Sequence, residues 1–187
     1  VETATSGDTR HTVGTEIAQA FRLACRQSLH RAKNEGSAVP AITLDAREMP
    51  SEPAAWETVQ LPLAPALLTC AITNLVDNAL RYHRGPTSVS ATLQWHAGPA
   101  GDGQVEICVR DQGPGLTADE CGQALKRFWR KSGSDPGSGL GLTIVHRIAE
   151  SAGGTLVLEP GTPGLVARLR LPTCAADAAP AQGTARG

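Results

Sequence analysis

The sequence predicts an α/β fold, a two-layer sandwich in which a mixed β-sheet carries its helices on one face. Segments with helical and with strand periodicity interleave along the 187 residues, and hairpin signals are frequent. Hydrophobic residues make up 41% of the chain, whereas aromatic residues make up only 3%. We therefore expect one domain with a mainly aliphatic core.

A first helix is predicted over residues 15–33, where Ile17, Phe21 and Ala24 recur on one helical face. Gly36 is a suitable residue to end it, because glycine tolerates the left-handed conformation that follows many helices. Two short strands and an intervening loop are predicted next, over residues 41–44, 58–61 and 49–53.

Pro65 begins a second helix that runs to Tyr82, because the N–H that proline lacks has no partner in a first helical turn. The Gly-Pro pair at 85–86 ends this helix. Two strands with alternating hydrophobic side chains follow, joined by a glycine-rich turn. The strands cover residues 89–95 and 105–110, and the turn covers 97–103.

The second half of the chain begins with a short helix and a mobile loop, both within residues 117–131. A helix is predicted over 142–152, because Ile144 and Ile148 belong to one apolar stripe and two glycines at 153–154 end it. A final hairpin joins residues 155–158 to 165–171. The predicted domain covers residues 13–172, between a flexible end at 1–12 and a disordered Ala/Pro/Gly-rich tail at 173–187.

Charge and composition exclude several classes of protein. The net charge of −1 argues against broad binding to nucleic acid or to an anionic membrane. No apolar run reaches the length of about eighteen residues that a bilayer requires, and the polar start is not a signal peptide. The five cysteines lack any C-x-x-C spacing, which indicates free thiols in a reducing cytoplasm rather than disulfides or a metal site. Because Val1 is not methionine, we expect the chain to be part of a longer protein.

Three segments carry chemically useful side chains, and the first is the second helix. Asn74 and Asn78 are four residues apart, so they lie one turn apart on one face, which Arg81 and Tyr82 extend. Asparagine is a mediocre helix former, and its amide oxygen suits Mg²⁺ when phosphates supply the negative charge. Taken alone, the segment fits a solvated polar face equally well.

The second segment is the Asp-Gln-Gly-Pro-Gly sequence that begins at Asp111, directly after a strand. A carboxylate there can accept hydrogen bonds from donors such as the exocyclic amine of adenine. Gly113 and Gly115 allow the backbone to turn sharply and to approach a flat base. An ordinary turn explains the same residues equally well when they are considered alone.

The third segment, Gly-Ser-Gly-Leu-Gly-Leu at 137–142, lies directly before a predicted helix. Glycines let backbone N–H groups approach a phosphate, and a helix N-terminus favours anions. A dinucleotide-binding fingerprint would require a strand just before it, but residues 127–136 are mostly polar. The chain also lacks a Gly-x-x-x-x-Gly-Lys sequence, which excludes a P-loop.

In combination, the asparagine helix, the Asp-x-Gly-x-Gly turn, the Arg-Phe-Trp-Arg segment and the glycine loop are much more specific. Their order resembles the catalytic ATP-binding domain of sensor histidine kinases, which belongs to the family shared with gyrase B, HSP90 and MutL. The resemblance covers roughly residues 13–172 and implies the Bergerat α/β sandwich. The matching residues are Asn74, Asp77, Asn78, Ala79, Asp111, Gly113, Gly115, Arg127, Phe128, Trp129, Arg130, Gly137, Gly139 and Gly141.

The resemblance implies ATP and Mg²⁺ as cofactors. Asn78 would coordinate Mg²⁺ with help from Asn74, Asp111 would bind the adenine amine, and Phe128 would anchor a nucleotide lid at about 131–137. Asn74, Asn78 and Arg81 would be the catalytic residues. The other implied ATP-binding residues are Arg81, Arg130 and Lys131 for the phosphates, Tyr82 for adenine or ribose, Gly113 and Gly115 in the turn, and Gly137, Ser138, Gly139, Leu140, Gly141 and Leu142 in the loop.

By the same resemblance, the domain would donate the γ-phosphate of ATP to a histidine on a dimerisation domain, for relay to a response regulator. None of the five histidines has the His-Glu-x-x-Thr-Pro context of an acceptor, and we expect His83 to be a solvated surface residue. The fragment should therefore bind ATP without autophosphorylation. The parent protein would be a homodimeric inner-membrane sensor, with this domain in the cytoplasm and in contact with neither membrane nor nucleic acid.

Three alternatives are weighed against this assignment. A gyrase- or HSP90-type ATPase usually carries a carboxylate base one turn before the Mg²⁺-binding asparagine, but Asn74 occupies that position here. An anti-sigma serine kinase generally lacks the aromatic residue of the Arg-Phe-Trp-Arg segment. A degenerate nucleotide-sensing module is the third alternative, although all the motifs are present. The predicted lid is short, and residues 132–136 contain neither Arg nor Lys. The middle of the lid is therefore expected to contribute little to phosphate binding.

Overall fold

The computed structural model describes residues 11–34, 44–49, 56–84, 88–98, 103–131 and 138–174. Helices and strands interleave along this part of the chain, as the sequence predicts. In chain order, the elements are β1 (Thr12–Val13), α1 (Gly14–Asn34), β2 (Leu44–Met49), β3 (Gln60–Leu61), α2 (Pro65–Tyr82), β4 (Val89–Ala97), β5 (Gly103–Arg110), α3 (Ala118–Ala124), α4 (Gly141–Ser151), β6 (Thr155–Pro160) and β7 (Leu165–Thr173).

Five strands form the main sheet in the order β2-β4-β5-β7-β6. The β2 and β4 strands are parallel, whereas the other neighbours are antiparallel, so the sheet is mixed. On β5, Val105, Ile107 and Val109 alternate with more polar residues and are buried. The helices α1, α2 and α4 pack against one another and against the sheet, which confirms the predicted two-layer sandwich.

The core between the layers is aliphatic, with few aromatic side chains. Phe21 of α1 and Trp56 are its large aromatic members, and Ile72 and Leu75 of α2 and Leu169 of β7 are at most 2% exposed. Each such side chain contributes roughly 1.5–3 kcal/mol when it is fully buried. In the described part of the chain, no helix is both long and apolar enough to cross a membrane.

The described strands extend slightly beyond the predicted domain limits of 13–172. The residues of β1 pair with β3 in a separate two-stranded sheet, and the hydroxyl of Thr12, which is completely buried, donates to the carbonyl oxygen of Leu63. At the other end, β7 continues to Thr173, and the Cys174 N–H donates to the Gln60 carbonyl at 3.0 Å. The ends of the described domain are therefore fixed by backbone pairing that short polar sequences do not reveal.

Two of the short strands differ from prediction. The strand expected at 41–44 lies mostly outside the described residues, and β2 instead covers Leu44–Met49. The strand expected at 58–61 is limited to β3, because a turn closed by the Val59 N–H and the Trp56 carbonyl occupies the preceding residues. Both segments are too short for periodicity to locate their ends.

The sheet face that points away from the helices carries a charged cluster. Glu106 of β5 is 8% exposed and accepts hydrogen bonds from Arg168 at 3.0 Å and from Arg170 at 2.8 Å, both on β7. Arg168 also donates to Glu159 at 3.1 Å. Burial alone would raise the pKa of the Glu106 carboxyl, but the hydrogen bonds and charges of the two arginines together lower it below its ordinary value.

We expect Glu106→Gln to lower the unfolding free energy by about 1–2 kcal/mol at neutral pH, because one of the two hydrogen bonds from arginine is lost and the other no longer has a charged acceptor. Since the folded pKa of Glu106 is lowered, its stabilisation is present above the ordinary pKa of 4.5 and is lost as the pH falls through the lower folded value. Urea unfolding at several pH values measures this. Glu159→Gln removes the same charge at a more exposed site and should cost less than about 0.5 kcal/mol. Equal effects of the two substitutions would contradict the prediction.

Candidate functional site

A cleft of about 420 Å³ opens where α2, the turn after β5 and the start of α4 meet. Its walls combine polar side chains from the helix with backbone and apolar groups from the loops. The lining residues are Asn74, Asp77, Asn78, Arg81, Tyr82, Asp111, Pro114, Gly115, Leu116, Ala124, Trp129, Arg130, Lys131, Ser138, Gly139, Gly141, Leu142 and Leu165.

The helix α2 presents its polar face to this cleft because its opposite face is buried in the core. The Asn74 side-chain amide donates to the Cys70 carbonyl at 2.9 Å, which leaves its Oδ1 atom beside Gly141 at the start of α4. Within the described part of the chain, the half-buried amide of Asn78 has no hydrogen-bond partner. Two amide oxygens are therefore available at the end of the cleft that lies next to α4.

Asp77, between the two asparagines, lines the cleft as well. Its carboxylate is paired with the Arg31 guanidinium of α1, in an ion pair whose side chains are 25% and 47% exposed. Asp77 is one of the motif residues that match the histidine kinase pattern, but the resemblance implies no ligand contact for it. Its position adds a carboxylate to the two asparagine amides.

Asp111 lies at the opposite end of the cleft and is only 4% exposed. Its Oδ1 atom accepts hydrogen bonds from the backbone N–H groups of Gly113 at 2.6 Å and Leu165 at 3.4 Å. Burial raises the pKa of the Asp111 carboxyl, although these two hydrogen bonds oppose the change. Because Oδ1 serves the backbone, Oδ2 is the oxygen that can accept a hydrogen bond from a ligand.

The ends of the predicted lid meet beside the cleft. The Phe128 N–H donates to the Gly139 carbonyl at 3.2 Å, which joins the two sides of the segment. Phe128 has a φ of 63° and is 67% exposed, with the Arg127 guanidinium 5.9 Å from its ring centre. Its neighbour Trp129 lines the cleft instead and donates from Nε1 to Gln123 at 3.2 Å. Of the two aromatic residues in the Arg-Phe-Trp-Arg segment, Trp129 lines the cleft and Phe128 does not.

Lys131 connects the same region to the turn after β5. Its Nζ donates to the Gly115 carbonyl at 3.2 Å and to the Glu120 carboxylate at 2.9 Å. Glu120 is fixed in turn by a capping box with Thr117 at the start of α3. Arg130, next to Lys131, also lines the cleft. Two cationic side chains therefore stand on the same side of the cleft.

The structure brings together most of the residues that the sequence analysis selected. Gly113, Phe128 and Leu140 do not line the cleft, and Gly137 lies outside the described residues, as does most of the predicted lid. Those that do line it are Asn74, Asn78, Arg81, Tyr82, Asp111, Gly115, Arg130, Lys131, Ser138, Gly139, Gly141 and Leu142.

Six lining residues were not selected from the sequence. Asp77, Pro114 and Trp129 lie inside the quoted motifs, so the motifs themselves could have indicated them. Leu165 reaches the cleft because β7 pairs with β5, a long-range contact that no local pattern reveals. The others are Leu116 and Ala124.

The expectation of a solvated His83 is wrong. The side chain is 2% exposed and lies among the largest fully buried side chains, directly after the last turn of α2. It does not line the cleft, and its Nδ1 atom accepts a hydrogen bond from the Gln112 N–H at 3.3 Å.

Comparison with known proteins identifies a family match. Residues 64–175 match the family described as histidine kinase-, DNA gyrase B-, and HSP90-like ATPase. This range is more than half of the chain and contains α2, the turn after β5 and the glycine loop before α4. The match therefore includes the three segments that form the cleft.

Individual relatives are similar over part of their length. The histidine-protein kinase AfsQ2 of Streptomyces coelicolor is 35% identical over 69% of this chain, and the sensor protein QseC of Escherichia coli K12 is 41% identical over 48%. The chain spans 23% and 18% of the lengths of these two relatives.

Two solved structures are similar in fold. The mycobacterial sensor histidine kinase MprB superposes with a TM-score of 0.65 at 26% identity, over 90% of this chain and 99% of the other. The catalytic domain of the histidine kinase ThkA superposes with a TM-score of 0.66 over 87% of this chain and 97% of the other, at 17% identity, which supports the fold alone.

Proposed function

The chain belongs to the histidine kinase-, DNA gyrase B-, and HSP90-like ATPase family, as an ATP-binding catalytic domain of the histidine kinase type, and from this premise we propose how it uses its cleft. It holds Mg-ATP with adenine at Asp111 and the phosphates between α2 and α4. It then donates the γ-phosphate to a histidine outside this chain. The convergence of the asparagine face, Asp111 and the glycine loop on one cleft is the observation that supports this proposal most strongly.

The adenine end of the proposed site rests on the buried carboxylate. The exocyclic amine of adenine is a donor, and Oδ2 of Asp111 is an acceptor that the backbone leaves available. Guanine carries a carbonyl oxygen at the corresponding position, so two acceptors would face each other. The site should therefore prefer adenine nucleotides over guanine nucleotides.

The phosphate end fits a magnesium ion delivered with the nucleotide. Mg²⁺ prefers oxygen ligands and is usually held by one or two protein groups together with substrate phosphates. Asn78 and Asn74 would hold it. The Asp77 carboxylate also lines the cleft and is paired with Arg31. When bound, Mg²⁺ would neutralise the negative charge of the phosphate oxygens.

The remaining phosphate contacts come from cations and from a helix end. Arg81 on α2 and Arg130 beside Trp129 both line the cleft and carry positive charge. The α4 helix begins at Gly141, so its first N–H groups lack intrahelical partners and favour an anion. Because phosphoryl transfer asks little covalent chemistry of the protein, positioning and charge neutralisation by these residues would suffice.

The acceptor and the signalling partners belong to the proposal as well. We propose that a dimerisation domain of the same homodimeric parent protein supplies the acceptor histidine, and that a response regulator receives the phosphoryl group. A cytoplasmic position for this domain follows from its need for ATP. Purified alone, the fragment should bind ATP and should not label itself with [γ-³²P]ATP. Strong self-labelling would contradict the assignment of the acceptor to another domain.

Asn78→Ala tests the magnesium assignment. Titration calorimetry of the wild-type fragment with a non-hydrolysable ATP analogue should show binding that strengthens when Mg²⁺ is added. Asn78→Ala should lose most of that gain, about 10-fold or more in affinity, because its oxygen ligand is removed. Thr73→Ala, on the same helix but outside the cleft lining, is the control and should bind as the wild type does. An unchanged magnesium effect in Asn78→Ala would refute this role.

A further inference from the structure

We propose that His83 is a positioning residue for adenine recognition, although it touches no ligand. Its buried imidazole joins the end of α2 to the turn that carries Asp111, and so holds the carboxylate in the orientation that reads the adenine amine. This inference rests on the proposed function. It adds a requirement that the family motifs quoted above do not contain.

The first observation is the burial of a polar ring at a structural junction. His83 follows Tyr82, the last residue of α2, and its own N–H still donates to the Ala79 carbonyl at 2.9 Å. The ring is 2% exposed, and its Nδ1 atom accepts from the Gln112 N–H at 3.3 Å. A buried ring nitrogen with a backbone partner costs little, whereas an apolar replacement would leave the Gln112 N–H without that partner.

The second observation is that the turn has no room to shift toward the helix. A Cβ atom on Gly113 would lie 2.3 Å from the Tyr82 carbonyl oxygen, so the backbones of the turn and of the helix end are in close contact. Gln112 stands between Asp111 and Gly113 in this turn. The His83 hydrogen bond therefore acts on the residue next to the carboxylate.

The third observation is the dependence of Asp111 on the same turn. Its Oδ1 atom is held by the Gly113 N–H and, from the start of β7, by the Leu165 N–H. If Gln112 moves, the 2.6 Å bond from Gly113 to Oδ1 changes with it. The orientation of the carboxylate, and with it that of Oδ2, is thus set partly by the buried ring that is bonded to this turn.

The hydrogen bond also determines which ring nitrogen of His83 carries the proton. Because the Gln112 N–H is the donor, Nδ1 must be unprotonated, and a neutral ring then carries its proton on Nε2. Asparagine can place its Oδ1 atom near the position of Nδ1 and accept the same bond. Leucine has a similar size but offers no acceptor, so the pair His83→Asn and His83→Leu separates the hydrogen bond from packing.

The test compares ATP with purine riboside triphosphate, which lacks the exocyclic amine, by calorimetry with Mg²⁺ present. We expect His83→Leu to bind ATP about 5-fold more weakly, a loss typical of one hydrogen bond, and to bind the amine-free nucleotide almost as the wild type does. His83→Asn should recover most of the ATP affinity. His146→Leu, a control on α4 outside the cleft lining, should leave both affinities unchanged.

Equal weakening of both nucleotides in His83→Leu would show a merely structural role and overturn the inference, as would unchanged ATP binding. If the wild type bound neither nucleotide, the proposed function itself would fail and this role with it. Should His83→Leu not fold, NMR of the wild type decides. We expect an unprotonated Nδ1 with a scalar coupling to the Gln112 amide nitrogen, and a proton on Nδ1 would overturn the inference.

Discussion

Replacing Asp111 by asparagine is expected to weaken ATP binding by about 100-fold while the fold remains intact. In the wild type, Oδ1 accepts both backbone hydrogen bonds, and in the proposed site Oδ2 accepts from the adenine amine. An asparagine that keeps the backbone bonds with its oxygen must direct its NH₂ group into the cleft. Two donors then face each other, and a charge-assisted hydrogen bond is lost.

The thermal stability of Asp111→Asn tests the burial of this carboxylate independently of ligand binding. Burial raises the pKa of Asp111 in the folded protein, so its favourable contribution exists below the unfolded pKa and is lost as the pH rises through the folded value. At neutral pH the ionised carboxylate is therefore a cost, and Asp111→Asn should unfold at the same temperature as the wild type or a higher one. A large fall in unfolding temperature would contradict this account.

Calorimetric titration with ATP and GTP measures the binding effect. The wild type should prefer ATP, and Asp111→Asn should lose most of that preference. Asp119→Asn makes the same charge change on the exposed surface of α3 and is the matched control. If Asp111→Asn binds ATP as tightly as the control does, the assignment of adenine to Asp111 is wrong.

Gly164→Ala is expected to destabilise the fold by at least about 3 kcal/mol, the largest effect on stability that we predict. Gly164 precedes β7 with a φ of 93°, and a Cβ atom there would lie 2.0 Å from the Asp111 carbonyl oxygen. The φ of 93° is strained for alanine, and the new methyl group clashes with a backbone atom. Neither a rotamer change nor a small shift of a side chain can therefore relieve these two costs.

Gly122→Ala provides the control for that substitution. Gly122 lies within α3, and apart from its chain neighbours and the backbone of its own helix no heavy atom of the described residues would come within 4 Å of a Cβ added there. Alanine in a helix should be neutral or stabilising by about 0.5–1 kcal/mol. Thermal and urea unfolding of the two variants compare the effects directly. A Gly164→Ala protein as stable as Gly122→Ala would refute the close contact between the β6–β7 hairpin and the Asp111 turn.

The sequence predicted the elements whose ends carry strong local signals. The α2 helix was predicted over residues 65–82, and the structure gives Pro65–Tyr82, because proline at its start and a Gly-Pro pair after it are local determinants. The asparagine face and the Asp111 turn were predicted for the same reason. In contrast, β2 covers Leu44–Met49 rather than 41–44, since short strands are defined by their partners.

The parts of the site that escaped prediction depend on distant contacts. Leu165 is 54 residues from Asp111, and it reaches the carboxylate only through the pairing of β5 with β7. His83 looks solvated in sequence because polar residues surround it, yet the Asp111 turn covers it. Trp129 was not selected, although it is the neighbour of the exposed Phe128 and lines the cleft.

The position of Trp129 makes its intrinsic fluorescence a probe of the cleft. The chain contains three tryptophans, and of these Trp129 alone lines the cleft, whereas Trp56 is 2% exposed in the core and Trp95 lies in β4. A nucleotide that enters the cleft changes the surroundings of one indole and leaves the other two as an internal standard. Nucleotide occupancy can therefore be followed by intrinsic fluorescence, without a label and on the timescale of binding.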